Sequence, residues 1–458
     1  MKRPIIKTFV CLFVIIHSTL FRATESYCQN GKDRQVEDVF KVMEIVTKSI
    51  DKPLWPNFKA TEIPVLVFDS INTWLFYSNV PPDGFNEVKM HPGVYMFTGK
   101  HPLVQGNSIV RISNSWIATC KFSSYAQRTG EKYSARDLAG IIIHEQFHIF
   151  QRNKHPTWRA NDGYLLMYPT ETQEALFLRR VEKEAFKRAV LANKPEEITG
   201  WVKEALSYRE KRLSMINSVY GRYEMELQRT EGLSDYIEKI ARELDPLNTS
   251  DITNGIAPAG VRDLGYVEGR WIAMILDKLS PDWKSVLESN DKLYLEDFLR
   301  KMINELPENT KNSQIVEIEK IRADADGDFL KWQEVKKQEI EKFNDMPGFR
   351  IEINALTKPL NIRIFEPLEI EILDGGSVYH RLIFSAGNDA GTLRIMNQPC
   401  ITQFDNSLQI VKLILNGLKE SPEIIEDQNK IMIKNNNISI ELKYSKLQVE
   451  NSCYIIEL

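Results

Sequence analysis

Histidine and cysteine are both scarce in this chain, whose 458 residues include seven histidines and five cysteines. Five cysteines with no Cys-x-x-Cys pair exclude a disulfide-rich scaffold and give no indication of a structural zinc site of the Cys/His kind. Charge of one sign is also lacking: 59 basic residues nearly balance 63 acidic ones, and the net charge of −4 gives no reason to expect nucleic acid as a partner. With 43% apolar and 27% charged residues, the composition is typical of a soluble globular protein of two or three domains.

Long hydrophobic runs are missing beyond the N-terminus, so we expect no stable membrane span in the mature protein. The N-terminus itself has a basic start, the apolar run Thr8–Phe21, and small and polar residues at Ala23–Ser26. This layout predicts a secretory signal peptide over residues 1–28, with an uncleaved anchor helix as the alternative. We therefore expect an extracytoplasmic protein, either periplasmic or secreted.

Strand patterns dominate the sequence that follows the signal peptide. A helical pattern at Gln35–Ser49 comes first, and runs rich in Val, Tyr, Ile and Trp then occur at Pro64–Phe68, Val94–Thr98 and Ser108–Phe122. Pro and Gly separate these runs, which predicts short strands of a mixed or antiparallel sheet.

Helical patterns dominate the middle of the chain. They cover Leu138–Gln151, Glu171–Leu191, Glu196–Met215, Ser218–Leu244, Gly265–Leu279, Leu295–Glu305 and Ile315–Phe343. The first follows Ser134–Asp137, which is typical of a capping box with Asp in place of Glu. The last is so charged that we expect a solvated or domain-bridging helix.

Short alternating segments return after Pro347. They are Arg350–Ile353, Asn361–Phe365, Leu368–Leu373, Val378–Ser385, Gly391–Met396, Leu408–Leu415, Lys430–Ile433 and Ile438–Tyr444. Asn, Asp, Gly and Pro separate them, which predicts an all-β, sandwich-like module. In an oxidising compartment Cys400 and Cys453 of this module can form a disulfide, and two independent buried thiols are the alternative.

These patterns together predict an α+β protein. We expect an N-terminal mixed or antiparallel sheet, a mostly helical body and a C-terminal all-β, sandwich-like module. The predicted boundaries are residues 1–28 for the signal peptide, 29–345 for the body that carries the chemistry, and 346–458 for the accessory β domain.

The motif His144-Glu145-Gln-Phe-His148 lies inside the first long helical pattern. Its four-residue step places both imidazoles on one face of a helix, where they can bind one metal ion. Glu145 follows the first histidine and can take a proton from a metal-bound water. The residues around the motif are apolar nearly all round, which predicts a buried helix whose polar groups need partners, and a metal ion supplies one.

A catalytic zinc needs a third protein ligand, and a carboxylate on a later helix can provide it. Glu231 and Asp235 lie four residues apart on a predicted helix, so one can bind the metal while the other accepts the second N–H of a ligand histidine. Gly232 between them leaves room for close approach to the HExxH helix. Glu171 and Glu174 are the rival ligands, because they are closer in sequence to His148 but have no Asp four residues further on.

His144-Glu145-Gln-Phe-His148 and Glu231-Gly-Leu-Ser-Asp235 together resemble the motifs of the gluzincins, the thermolysin-like zinc metallopeptidases. The resemblance implies one zinc ion bound by His144, His148 and Glu231, with Glu145 as general base and Asp235 as the partner of a ligand. It also implies a zincin-like catalytic body. The sequence departs from many gluzincins in the long separation between His148 and Glu231.

The expected reaction is hydrolysis by a zinc-activated water, with Glu145 removing a proton and delivering it to the leaving amine. The developing oxyanion needs a donor, and Tyr266 is the first candidate, with Arg270, Tyr223 and Tyr236 as others. We expect a peptide or protein substrate and an unidentified partner for the β module. The alternatives are a catalytically silent, zinc-stabilised binding protein and a zinc hydrolase of a non-peptide amide.

Overall fold

A computed structural model describes most of the chain beyond the predicted signal peptide. The described residues are 37–49, 53–112, 114–122, 134–169, 172–242, 257–305, 314–373, 376–425, 428–435 and 437–458. The predicted signal peptide, residues 1–28, lies outside them. In the described part of the chain, no helix is both long enough and apolar enough to cross a membrane.

The chain divides into two compact units. The first comprises Met1–His155 and Ile237–Asp245, and the second comprises Pro156–Tyr236 and Pro246–Leu458. Both helices and sheets are present, so the predicted α+β class is confirmed at that level.

The first unit contains a six-stranded mixed sheet with the strand order β3-β4-β2-β1-β6-β5. Its strands are β1 (Val65–Phe68), β2 (Asn72–Phe76), β3 (Asn86–Glu87), β4 (Tyr95–Thr98), β5 (Ser108–Ile112) and β6 (Ser115–Lys121). Strands β1 and β6 are parallel and the other neighbours are antiparallel, which confirms the predicted mixed sheet. Strand β1 is buried along its whole length, as a strand in the middle of a covered sheet must be.

Two helices of the first unit occupy positions that the sequence predicted. Helix α1 covers residues 37–48, and helix α2 (Ala135–Lys154) carries the HExxH motif. The hydroxyl of Ser134 accepts a hydrogen bond from the backbone N–H of Asp137 at 3.4 Å, so the predicted cap is present. Eleven residues of α2 are buried, which confirms that this helix lies in the interior.

Contacts within the first unit fix the rotation of α2 about its axis. The amide Nε2 of Gln146 donates to the backbone carbonyls of Ala60 and Ile63, at 2.9 and 2.7 Å. The ring of Phe147 meets Trp55 edge-on, with 5.6 Å between the ring centroids. The directions in which His144 and His148 project from α2 follow from this anchoring.

The second unit begins with a helical part. Its helices are α3 (Gln173–Leu191), α4 (Pro195–Leu213), α5 (Ser218–Leu227), α6 (Leu233–Arg242), α7 (Ala257–Leu279), α8 (Trp283–Glu288), α9 (Leu295–Glu305) and α10 (Ile318–Asn344). A π-helical turn, Gln228–Gly232, joins α5 to α6 without a break. The sequence predicted this stretch as one helix but not its π turn, and the residues of α6 from Ile237 onward belong to the first unit.

Thirteen strands follow α10 among the described residues, in a seven-stranded and a six-stranded sheet. They are β7 (Phe349–Asn354), β8 (Asn361–Phe365), β9 (Ile370–Ile372), β10 (Ser377–His380), β11 (Ile383–Asn388), β12 (Gly391–Met396), β13 (Cys400–Phe404), β14 (Ile410–Leu418), β15 (Glu423–Ile425), β16 (Lys430–Lys434), β17 (Ile438–Lys443), β18 (Lys446–Glu450) and β19 (Cys453–Glu457). Residues of both sheets share one apolar core, so the predicted all-β region is confirmed. The predicted strand Val378–Ser385 is in fact two, since β10 and β11 belong to different sheets.

The β region and the helical part belong to the same compact unit. An apolar cluster joins Leu165, Tyr223 and Val261 to Ile370 and Val378. The predicted domain boundary between residues 345 and 346 therefore stays a prediction. Cys400 and Cys453 are both free thiols, so the disulfide considered for this region is not formed.

A network of charged side chains is buried in the helical part of the second unit. Its main members are Glu182, Arg209, Arg212, Glu224, Glu268 and Glu296. The guanidinium of Arg209 donates to Glu182, Glu268 and Glu296 and is 1% exposed. Removing one partner from such a network leaves a buried charge uncompensated. The network therefore fixes how α3, α4, α7 and α9 pack together.

One carboxyl of this network titrates near neutral pH. Burial, together with the negative charges of Glu182 and Glu224, raises the pKa of Glu268 to about 7 against the opposing effect of Arg209 and Arg212. The folded protein thus retains a proton on Glu268 at pH values where the unfolded chain, with an ordinary pKa of 4.5, has lost it. Folding takes up this proton, so its contribution to stability declines as pH rises through that window.

We expect Glu268→Gln to gain stability relative to the wild type as pH rises from about 5 to about 8, because glutamine has no proton to take up on folding. Urea unfolding of both proteins across this range measures the difference. Glu210→Gln, on the exposed side of α4, is the matched control, and its difference from the wild type should change little with pH. The prediction would be contradicted if the free energy of unfolding of Glu268→Gln differed from that of the wild type by the same amount at about pH 5 and at about pH 8.

Candidate metal centre

The two histidines of the HExxH motif converge on one point. They lie one turn apart on α2, and their Nε2 atoms are 3.1 Å apart. Two nitrogen ligands of a tetrahedral zinc ion, each about 2.0–2.1 Å from the metal, stand about 3.3 Å apart. The spacing of the two Nε2 atoms therefore matches that of two ligands of one ion.

The other ring nitrogen of each histidine is held by an acceptor of the first unit. The Nδ1 of His144 lies 3.2 Å from Oε2 of Glu238 on α6. The Nδ1 of His148 lies 3.1 Å from Oε1 of Gln151, which is three residues further along α2. A carboxylate and an amide oxygen are acceptors, so both positions favour a proton on Nδ1.

The Nε2 atoms of the two rings approach each other at hydrogen-bond distance, 3.1 Å. Histidine ligands of metals commonly donate their second N–H to a carboxylate or another acceptor. The arrangement around His144 and His148 is compatible with a pair of metal ligands.

Glu238 has its own support within the first unit. Arg242 donates to Glu238 at 2.7 Å and also to Asp137 of α2. Burial opposes ionisation of Glu238, but His144 and the neighbouring positive charges lower the pKa of its carboxyl to about 2. A Cβ at Gly140 would collide with the side chain of Arg242, so glycine at this position allows Arg242 of α6 to pass close to α2.

Glu145, the predicted general base, lies partly buried on α2 beside His144. Across from it on β6, burial raises the pKa of the Cys120 thiol well above its ordinary value, and the negative charges of Glu145 and Glu238 raise it further. Cys120, Glu145 and Glu238 therefore lie in one electrostatic neighbourhood, in which Cys120 stays a neutral thiol.

Glu231, the predicted third ligand, lies in the π-helical turn Gln228–Gly232 of the second unit. Such turns often occur at functional sites. A Cβ at Gly232 would lie 2.5 Å from Cα of Gly269 and 2.9 Å from the carbonyl oxygen of Gly265. Gly232 does permit a close approach, as predicted, but the expected neighbour is wrong, because the helix that approaches is α7.

The three predicted ligands belong to different units, His144 and His148 to the first and Glu231 to the second. Each offers one potential ligand atom. His144 and Glu231 are buried, and His148 is partly buried. Two imidazole nitrogens and one carboxylate oxygen are a donor set that suits a catalytic zinc ion with an open position.

Asp235 was predicted as the partner of a ligand histidine, and its observed contact is an ion pair with Arg270 of α7. The carboxylate next to a ligand histidine is that of Glu238. The predicted role of Asp235 stays a prediction. The rival ligand Glu174 is instead paired with Arg322 at 2.8 Å and Lys211 at 3.2 Å, and Glu171 lies outside the described residues.

The candidate oxyanion donors have different surroundings. Tyr223 donates to Asp162 at 2.9 Å, and Tyr236 donates to Asp277 at 2.7 Å, so both hydroxyls are engaged in the second unit. Tyr266 lies with its ring centroid 5.8 Å from the guanidinium carbon of Arg262, which itself contacts Glu231. Tyr266 thus stays the first candidate, as predicted.

Sequence reasoning missed three side chains that surround the ligands: Glu238, Gln151 and Arg262. Glu238 had a detectable signal, because Glu231, Asp235 and Glu238 follow at intervals of four and three residues along one helix face. Gln151 was also predictable as a neighbour of His148, because side chains three residues apart lie on the same face of a helix. Arg262 is far from Glu231 in the sequence, and nothing in the local pattern indicates their pairing.

Comparisons of this chain with protein-family models, with curated proteins and with solved structures find no match. The resemblance to the gluzincins therefore rests on the site residues alone.

Proposed function

We propose that this protein is a secreted zinc metallopeptidase of the gluzincin type, with a zincin-like catalytic body. In this proposal His144, His148 and Glu231 hold the metal and Glu145 is the general base. The observation that carries it is the convergence of the Nε2 atoms of His144 and His148, 3.1 Å apart, on imidazoles whose Nδ1 atoms lie beside acceptors. Secretion rests on the predicted signal peptide at residues 1–28.

Glu145 performs the proton transfers of the proposed reaction. A bound zinc ion would supply Lewis acidity, which polarises the substrate carbonyl and acidifies water. Glu145 takes a proton from the attacking water as its oxygen bonds to the carbonyl carbon. The same carboxyl then gives that proton to the leaving nitrogen as the C–N bond breaks, so the peptide yields a carboxylic acid and an amine. Tyr266 is the proposed donor to the developing oxyanion.

We expect the purified protein to bind about one zinc ion and to cleave peptides from a mixed-sequence library. Glu145→Gln should retain zinc and lose about 10²-fold or more in turnover, because only the proton carrier is removed. Glu231→Ala should lose zinc. Elemental analysis after dialysis and mass spectrometry of the library measure both effects.

Glu174→Ala is the matched control for Glu231→Ala, since it removes the rival carboxylate from a surface ion pair. It should bind zinc like the wild type. Full zinc content in Glu231→Ala would exclude this residue as a ligand. Zinc binding without any cleavage by the wild type would instead support the silent, zinc-stabilised binding protein, and cleavage of simple amides alone would support the non-peptide hydrolase.

We expect Glu238→Gln to weaken zinc binding by about 10- to 100-fold, because His144 loses the carboxylate that orients its ring and increases its basicity. Competition with a chromogenic chelator measures the affinity. Asp137→Asn disturbs the same arginine, Arg242, without touching His144, and should leave the affinity close to that of the wild type. Equal losses in the two variants would show that the effect comes from Arg242 and not from the ring of His144.

A further inference from the structure

Arg262 of α7 joins two carboxylates of the second unit. Its Nη2 donates to Oε1 of Glu231 at 2.7 Å, and its Nη1 donates to Oδ1 of Asp162 at 2.6 Å. The side chain of Arg262 is 13% exposed and that of Glu231 is 11% exposed. Hydrogen bonds between charged groups at such low exposure are strong and directional.

Asp162, the second carboxylate bound by Arg262, has a further hydrogen-bond partner. It begins the 3-10 helix Asp162–Met167, and its Oδ1 accepts a hydrogen bond from the hydroxyl of the buried Tyr223 at 2.9 Å. The result is a continuous chain of hydrogen bonds from Tyr223 through Asp162 and Arg262 to Glu231. Because the guanidinium is planar and rigid, fixing one of its ends fixes the other.

Helix α7 holds Glu231 in two ways. Gly265 and Gly269 of α7 contact the backbone next to Glu231, at Gly232, and Arg262 of the same helix contacts its carboxylate. The backbone next to Glu231 and its carboxylate are therefore both positioned by the same helix, α7.

Charge alone does not explain an arginine at this position. A guanidinium next to a site for a divalent cation repels that cation, so its electrostatic effect lowers metal affinity. A favourable effect on the site must therefore come through the orientation of the carboxylate. Ligand carboxylates in metal sites are hydrogen-bonded in this way, and losing such a partner commonly costs 10- to 100-fold in affinity.

We propose that Arg262 is a positioning residue that orients the Glu231 carboxylate as a metal ligand, and that Asp162 and Tyr223 hold Arg262 for this task. This inference rests on the proposed function, in which Glu231 binds zinc. Arg262 acts through Glu231 and has no role in proton transfer.

The test compares zinc affinity in Arg262→Gln, Arg262→Lys and the wild type, by titration of the full-length proteins with zinc chloride against a chelator. Positioning predicts that both variants bind zinc about 10- to 100-fold more weakly, because neither glutamine nor lysine reproduces the fork between Asp162 and Glu231. A purely electrostatic role predicts tighter binding in Arg262→Gln and no change in Arg262→Lys. The cobalt(II) absorption spectrum, which reports the geometry of the ligands, should change in both variants.

Arg180→Gln is the matched control. Arg180 also pairs with a carboxylate of the second unit, that of Asp328 at 2.9 Å, and its side chain is 11% exposed. This variant should keep the zinc affinity and the cobalt spectrum of the wild type. Circular dichroism of the metal-free proteins shows whether each variant is folded. If Arg262→Gln does not fold, the test rests on Arg262→Lys, which keeps a positive charge beside Asp162.

The outcomes separate the two proposals. If the wild type binds no zinc, the proposed function fails and the role of Arg262 fails with it. If the wild type binds zinc while Arg262→Lys binds it equally well with an unchanged cobalt spectrum, only the positioning role is overturned.

Discussion

The burial of helix α2 is the constraint on which the candidate site depends. This helix places two imidazoles and a carboxylate among apolar residues, and polar groups in such surroundings must find partners. Glu238 and Gln151 take one nitrogen of each histidine, so the other two nitrogens face each other at 3.1 Å. The two Nε2 atoms therefore have the spacing of two ligands of one metal ion.

In the second unit, ion pairs provide the partners of buried polar groups. Arg209 and Arg212 are buried among carboxylates, and their ion pairs fix the packing of the helices around them. Helix α7 takes part in this network through Glu268 and also carries Arg262, which holds Glu231. Helix α7 therefore connects the buried ion-pair network to Glu231, the proposed ligand.

Local patterns predicted the elements well where one signal dominated. The cap at Ser134 and the apolar run after it located α2, and alternation located most strands of the β region. The π turn at Gln228–Gly232 was not predictable, because it depends on the close contact of Gly232 with Gly265 and Gly269. Likewise, the segment Val378–Ser385 reads as one strand, and only the packing of two sheets divides it.

The sequence by itself determined which chemistry is available, because the four-residue step from His144 to His148 holds in any α-helix. It also made Glu231 a candidate ligand, since a helical carboxylate pair is a local pattern. Tertiary structure alone decided which carboxylate meets His144. Asp235 and Glu238 share a helix face, and the contacts of that helix within each unit pair Asp235 with Arg270 and bring Glu238 to the imidazole. The pairing of Arg262 with Glu231 was decided in the same way, because contacts between distant segments follow from packing and not from spacing along the chain.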